Sequence, residues 1–300
     1  MNDKDQFKTV GEGLLVRAPA KINLSLLVAG KRPDGFHELE TVMAKINFYD
    51  EILIEPGHQK GIELVCRGPH WVPEDKENLV YRAAELLLGK CGLTNDIKIT
   101  LTKNIPAGSG LGSGSSDAAA TLIGLNKYLD VQLSGQWLAE AASRLGSDVA
   151  FFLNGPLAFC TGKGEKIKKI EENFNFLVLL AIPDVSVSTK KVYGNYKHDQ
   201  FLYEKLSSQI KGYIEKNRID LVAKMCANML EKSCFSLAES IAELKSNIVL
   251  SGIGPCCLSG SGSTMFCLIE SGDEEEAREY KHKLVEKIGC KSSIARNNRW

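Results

Sequence analysis

Apolar positions recur at two different periods along the chain, and the switches between them predict its elements. The first third is strand-like. Residues Ile22 to Val28 mix apolar and polar positions. EILIEPGHQKGIELVC, Glu51 to Cys66, holds two strand-like runs around a Pro/Gly turn, which predicts a hairpin. In ENLVYRAAELLLGK, Glu77 to Lys90, the residues Leu79, Ala83, Leu86 and Leu87 share one side of a helix. Ile97, Ile99 and Leu101 then alternate with Lys98, Thr100 and Thr102, the mark of a half-buried strand. Further on, Ala118, Leu122, Leu125 and Leu129 fall at spacings of four, three and four, one face of a helix. SGQWLAEAASRLG predicts a second helix, with Ser134 as N-cap and Gly146 as stop. At about Phe174 the pattern changes. The apolar run Phe176 to Ile182 reads as a buried strand, and a mostly helical stretch extends from about Asp199 to Lys245. CCLSGSGSTMFCLIE, Cys256 to Glu270, is strand-like on both sides of a glycine turn. A charged helix around Glu274 to Ile288 and a short strand follow. Without repeats or a low-complexity linker, the order predicts two α+β domains in contact, 1–173 and 174–300.

Composition narrows the class of protein. Lys plus Arg and Asp plus Glu both number 37, so the net charge is zero, against a general nucleic-acid binder. MNDKDQFKTV lacks the apolar core of a signal peptide, and no apolar run approaches a bilayer span, so no membrane is expected. The nine cysteines include no CxxC pair and no zinc-like Cys/His spacing. Adjacent Cys256 and Cys257 suit a disulfide framework poorly, so reduced, mostly buried thiols in a cytoplasmic protein are expected.

The candidate chemistry starts at NIPAGSGLGSGSSDAAA. Four glycines, Gly108, Gly110, Gly112 and Gly114, alternate with small residues between a predicted strand and a predicted helix. Such a cluster is costly in backbone entropy. What it offers is a set of unpaired amides at a helix start, with no side chains between them and an anion. A phosphate cradle formed by Pro106, Ala107, Gly108, Ser109, Gly110, Leu111, Gly112, Ser113, Gly114, Ser115 and Ser116 is therefore expected, with the serine hydroxyls as added donors or metal ligands. It is not a Walker A loop, because G-x-x-x-x-G-K-[ST] does not occur. Nor is it a Rossmann loop, because serines stand where the last glycine of G-x-G-x-x-G should be.

PAGSGLGSGSSDAAA resembles the P-x-x-x-G-L-G-[SG]-[SG]-S loop of the GHMP small-molecule kinases. APAKINLSLLVAGKRPDGFHELETV, Ala18 to Val42, resembles that family's first motif, and LSGSGSTMF, Leu258 to Phe266, its third. PAKINL, RPDGFHEL and LGSDVAFFLNGPLAFCTGKGE are most similar to the branch that phosphorylates a cytidine-diphosphate-linked methylerythritol in isoprenoid synthesis. The resemblance implies a ribosomal-S5-like N-terminal domain and a ferredoxin-like C-terminal domain. It also implies ATP and Mg²⁺, a small-molecule substrate, and a monomer or weak homodimer.

Residue roles come from the same resemblance. On spacing alone, Asp148 is a capping aspartate between the Gly146 stop and an apolar run read as a strand, and Lys21 a strand lysine that snorkels outward. The family match makes Asp148 the catalytic carboxylate, with Lys21 beside it. Asn23, two residues on, faces the same side of a strand and could hold the same substrate. The match also places His37 on the edge of the cytosine, with Phe36 and Tyr193 flanking the base. The family commonly has Tyr before the histidine and Phe at the later position; here they are exchanged, so Phe36 has no hydroxyl to offer. Thr189 aligns with a substrate-contacting threonine, and Gly260 and Gly262 bring backbone close to the substrate or the phosphates. Asp117 stays open between a cap and a metal ligand, since an acid there repels phosphate. Homoserine or mevalonate kinase activity, and RNA binding by an S5-like domain, are the alternatives.

Overall fold

The computed structural model describes residues 6–94, 96–171, 174–269 and 274–300. Its strands form two sheets. The first is built on two long antiparallel strands, β2 (Gly13–Lys31) and β3 (His37–Pro56), paired along nearly their whole length. β1 (Phe7–Val10) flanks β2, while β5 (Ile97–Thr102) and β6 (Leu157–Gly162) pair with opposite ends of β3. β4 (Ile62–Arg67) and β7 (Lys166–Lys169) complete the sheet. The second sheet has the order β11-β8-β10-β9, from β8 (Leu177–Ile182), β9 (Cys256–Leu258), β10 (Met265–Ile269) and β11 (Lys291–Arg296). All its neighbours are antiparallel, the ferredoxin-like arrangement. The fold is α+β. The expected domain boundary falls between β7 and β8, at residue 173, which lies outside the described residues.

The expected hairpin at Glu51–Cys66 does not form. β5 lies between its two arms, antiparallel to β3 and parallel to β4. The chain leaves β4 through helix α1 (Leu79–Cys91) and returns as β5, so α1 is the crossover that a parallel pair requires. β5 is the more buried strand and takes the inner position, leaving β4 at the edge.

The helices follow their sequence signals closely. Asn78 caps α1 by accepting from Val80 N at 2.9 Å. Helix α2 (Ser113–Tyr128) packs on β2 and β3 with Ala118, Leu122 and Leu125 buried. Gly124 makes the contact close: an added Cβ would stand 2.8 Å from both Ile54 Cδ1 and Val16 Cγ2. α3 (Gly135–Leu145) starts at Ser134, which accepts from Trp137 N, and stops at Gly146. The run after Asp148 is not a strand. Val149–Phe152 forms a single helical turn, α4, and the strand begins only at Leu157. With all four residues buried and only one turn in length, its period could not be read from the pattern.

In the second half, α5 (Thr189–Asn195), α6 (Gln200–Glu215), α7 (Ile219–Lys224), α8 (Glu231–Leu237) and α9 (Glu239–Leu250) precede β9. α10 (Glu274–Lys283) lies between β10 and β11. One apolar core spans both sheets: Ala20, Ile22, Leu24 and Leu26 of β2 pack with Val178, Leu180, Leu258 and Phe266. A second core lies under α1, α2 and α3. Glu40 of β3 adds a polar latch, accepting from Tyr203, Ser207 and Lys211 of α6 at 3.0, 2.6 and 2.6 Å.

The thiols are not all reduced. Cys226, just after α7, is joined to Cys257 of β9, with their Cα atoms 5.1 Å apart. Neighbours on a strand face opposite sides, so Cys257 meets Cys226 while Cys256 turns away. The other seven cysteines are free.

Replacing Gly124 with valine should force α2 off the sheet and cost about 1–3 kcal/mol of stability. Chemical denaturation checks this. An unchanged midpoint would mean that the helix is not held at Gly124.

Candidate active site

Three segments converge where the two sheets meet. Lys21 and Asn23 come from β2, residues 108–112 from the loop before α2, and residues 259–262 from the turn between β9 and β10. The loop is fastened to β2 by a bond from Lys21 N to Leu111 O at 2.9 Å. It is fastened to the turn by Ser259 Oγ donating to Gly110 O at 2.9 Å and Thr264 N donating to Ser109 O at 3.0 Å. Gly110 has φ 82° and no room for a side chain, since a Cβ would lie 2.1 Å from Ser259 O. Gly112 opens α2 at φ 72° without a side-chain cap, so the first amides of the helix remain available. A Cβ on Gly112 would press on Lys21 Cγ and Phe152 Cζ, both at 2.9 Å.

Lys21 is buried, yet it does not snorkel. Its Nζ donates to Asn23 Oδ1 at 2.5 Å and stands 3.9 Å from Asp148 Oδ2. Asn23 is held in turn by donating to Thr41 Oγ1 at 2.8 Å. The expected shared face of Lys21 and Asn23 is therefore present, and Asp148 meets it from the start of α4. Burial draws the Lys21 pKa down, opposed by the Asp148 charge and then by Cys160. The Asp148 side chain remains one-third exposed, open to a substrate. Gly260 completes the ring, since its Cβ would be 3.3 Å from Lys21 Nζ and 3.5 Å from Asn23 Oδ1.

Aromatic groups gather on one flank. The His37 ring lies 5.2 Å from Tyr193 and 6.0 Å from Tyr196. Burial, then the charges of Lys31 and His198, hold His37 below the ordinary imidazole pKa. Tyr193 titrates upward through burial and the nearby Asp148 charge, which puts it within electrostatic reach of the carboxylate. Phe36 is 56% exposed, with Lys163 Nζ 4.6 Å from its ring centre. Lys163 precedes Gly164, where a Cβ would be 3.4 Å from Asp148 Oδ1, so this turn joins the aromatic flank to the carboxylate. Thr189 shares a hydrogen bond of 2.9 Å with Ser261. It therefore reaches the turn that contains Gly260 and Gly262.

The serines divide into two sets. Ser109 Oγ donates to Pro106 O, and Ser113 Oγ turns inward to Asp50 and Ile105 O. Neither hydroxyl points into the cradle. Ser115 is half-buried, and Ser116 Oγ is buried without a protein partner.

Asp117 finds its explanation below the loop. Lys103 Nζ donates to Asp50 Oδ2 at 2.5 Å, to Asp117 Oδ2 at 2.7 Å and to Ser113 Oγ. Asp50 Oδ1 accepts from the backbone N–H of Asn104 and Ile105, at 2.6 and 2.8 Å. Burial pulls Lys103 down, but the Asp117 and Asp50 charges outweigh it and raise its pKa. Burial and then Asp50 push the Asp117 carboxyl well up, with Lys103 opposing both. The cluster ties β3, the end of β5 and the start of α2 into one support for the cradle.

Lys163, Tyr196, Thr41, Asp50 and Lys103 were not singled out from the sequence. Only Lys103 carried a local signal, a lysine directly after the strand and ahead of the loop. The others are brought to the site by sheet register and by turns.

Comparison with known proteins shows the family to which the fold belongs. The GHMP kinase N-terminal domain model matches residues 78–156, and the GHMP kinase C-terminal model matches residues 210–286. A 4-diphosphocytidyl-2-C-methyl-D-erythritol kinase of Geobacillus sp. (strain WCH70) is 40% identical over 257 residues, covering 86% of this chain and 88% of its own. One of Bacillus cereus (strain B4264) is 40% identical over 256 residues, 85% of this chain and 88% of its own. The chain belongs to this family of GHMP kinases. A crystal structure of a 4-(cytidine 5'-diphospho)-2C-methyl-D-erythritol kinase superposes with TM-score 0.74 at 29% identity, covering 95% of this chain and 99% of that one. Homoserine kinase from Cytophaga hutchinsonii also reaches 0.74, over 98% of this chain and 96% of its own. At 20% identity that likeness is one of fold alone. In this kinase the loop before α2 meets the turn before β10 to form the cleft.

Replacing Lys103 with methionine should cost about 3–5 kcal/mol, because two carboxyl groups are left facing each other in a buried space. Urea denaturation at neutral pH measures this. A loss below about 1 kcal/mol, the scale of an exposed ion pair, would show that the cluster is solvated rather than buried.

Proposed function

We propose that the chain transfers the γ-phosphoryl group of ATP to the 2-hydroxyl of 4-diphosphocytidyl-2-C-methyl-D-erythritol, with Lys21 and Asp148 at the reacting hydroxyl. The observation that carries this reading is the Lys21–Asn23–Asp148 group set directly beside an open glycine cradle. Phosphoryl transfer needs little covalent help from a protein; it needs alignment and charge neutralisation. The cradle amides of Gly108 to Gly114 and the start of α2 hold the phosphates. Lys21 Nζ and Asn23 orient the acceptor oxygen. Asp148 takes the hydroxyl proton as the oxygen–phosphorus bond forms, and the bond from the γ-phosphorus to the bridging oxygen breaks to release ADP. Mg²⁺ would be held by the nucleotide phosphates and the unpartnered Ser116 hydroxyl, where it would neutralise charge. Among the described residues, no cluster of three or more His, Cys, Asp or Glu offers an independent metal site.

The substrate reading rests on the aromatic flank. A pyrimidine ring presents two apolar faces and a polar edge, which suit Phe36 and Tyr193 on the faces and neutral His37 on the edge. Neutral imidazole both donates and accepts, as the cytosine edge requires; imidazolium only donates.

Release of ADP from ATP and Mg²⁺ should occur with the cytidyl acceptor and not with homoserine or mevalonate. Asp148→Asn should lower kcat by about 10²–10⁴-fold. Equal turnover with an acceptor that has no base would discard the base pocket while leaving the cradle. Because the His37 pKa lies below the ordinary imidazole value, its recognition state persists through neutral pH. KM for the cytidyl acceptor should therefore rise only as pH falls below the ordinary imidazole range. A His37→Gln variant should lose that inflection; if the variant keeps it, His37 is not the group on the base.

A further inference from the structure

The β2–β3 register sets Lys21 directly across from Lys45, so two lysines leave the same sheet face side by side. Lys45 is 2% exposed, and the family motifs give it no role. Its Nζ donates to Phe152 O at 3.0 Å and Asn154 O at 2.7 Å, and lies 6.0 Å from the Phe151 ring centre. Those carbonyls sit at the C-terminal end of α4, whose N-terminal end is Asp148. The neighbouring lysines thus hold the two ends of one helical turn, Lys21 at the carboxylate and Lys45 at the carbonyls.

A single turn cannot hold itself. Helix nucleation is unfavourable, and its last carbonyls have no internal partners. Leu153 N and Asn154 Nδ2 donate to Ala150 O at 3.3 and 2.7 Å and Asn154 N to Phe151 O at 3.0 Å, while Lys45 takes the Phe152 and Asn154 carbonyls. Burial is expensive for an amine. It pulls the Lys45 pKa to about 7, helped by the Lys169 charge, and methionine would fill the same space without that penalty. What only the amine adds is the grip on two carbonyls, and either protonation state has the two N–H groups to provide it.

We propose that Lys45 is a positioning residue for phosphoryl transfer: by holding the Phe152 and Asn154 carbonyls, it fixes the turn that begins at Asp148 and hence the carboxylate relative to Lys21. The same turn bears on the cradle, since Phe152 limits the space at Gly112. The inference rests on Asp148 being the group that receives the hydroxyl proton.

The test is steady-state kinetics with ATP, Mg²⁺ and the cytidyl acceptor for Lys45→Met, Lys45→Gln, Asp148→Asn and Lys45→Met/Asp148→Asn. A small displacement of a catalytic group costs up to about 10²-fold, so Lys45→Met should lower kcat about 10–100-fold. Both KM values should stay within about twofold, and Lys45→Gln, which keeps an N–H₂ group, should be intermediate. In the Asp148→Asn background, Lys45→Met should change kcat by less than about twofold, because nothing is left to position. A role in stability alone would lower the unfolding temperature and leave kcat of the folded enzyme at its wild-type value; that result overturns the proposal. So does a full multiplicative loss in the double variant. If Asp148→Asn keeps wild-type turnover, the assignment of Asp148 falls and Lys45 with it. If Asp148→Asn is inactive while Lys45→Met is normal, only the Lys45 proposal falls. Should the methionine variant fail to fold, the glutamine variant decides by the same kcat and KM criteria.

Discussion

The approach of Gly110 to the Ser259 carbonyl is the contact on which the cleft depends. A Cβ at Gly110 would stand 2.1 Å from that oxygen, so the cradle loop and the β9–β10 turn meet through backbone alone. Around the contact, Ser259 Oγ bonds Gly110 O, Thr264 N bonds Ser109 O, and Lys21 N bonds Leu111 O. Strand β2, the start of α2 and the second sheet are thereby locked at one point. Larger side chains would hold the loops apart and open a gap where the phosphates are expected. The entropic cost of the glycines is the cost of bringing two backbones and an anion together in one small volume.

Three buried lysines then organise the surroundings, each compensated differently. Lys103 has two carboxylates and becomes a structural hub under the loop. Lys21 has one carboxylate at 3.9 Å and a side-chain amide, which leaves its ammonium available to a substrate oxygen. Lys45 has only carbonyls among its hydrogen-bond partners and grips backbone. The order runs from structure, to the chemistry proposed for Lys21, to the positioning proposed for Lys45. In each case the partner set, rather than burial, decides the role.

Much of this was legible in the chain. Spacing at Ala118, Leu122 and Leu125, caps at Ser134 and Gly146, and the glycine loop itself are local signals, and each produced the expected element. The shared face of Lys21 and Asn23 follows from strand geometry alone. The failures have a common cause in contacts distant along the chain. Nothing near Glu51–Cys66 announces that β5 will insert between β3 and β4. Cys226 meets Cys257 only because the end of α7 is packed beside β9. Asp117 was a puzzle while Lys103 and Asp50 were out of view, and Lys45 is an unremarkable strand lysine until register sets it opposite Lys21.

The most direct test of the account is a crystal structure with a non-hydrolysable ATP analogue and the cytidyl acceptor bound together. The acceptor hydroxyl should lie within hydrogen-bond distance of both Lys21 Nζ and the Asp148 carboxylate, with the γ-phosphate on the amides of residues 108–114. The cytosine should lie between Phe36 and Tyr193. An acceptor hydroxyl held elsewhere in the cleft, with Asp148 facing solvent, would contradict the account.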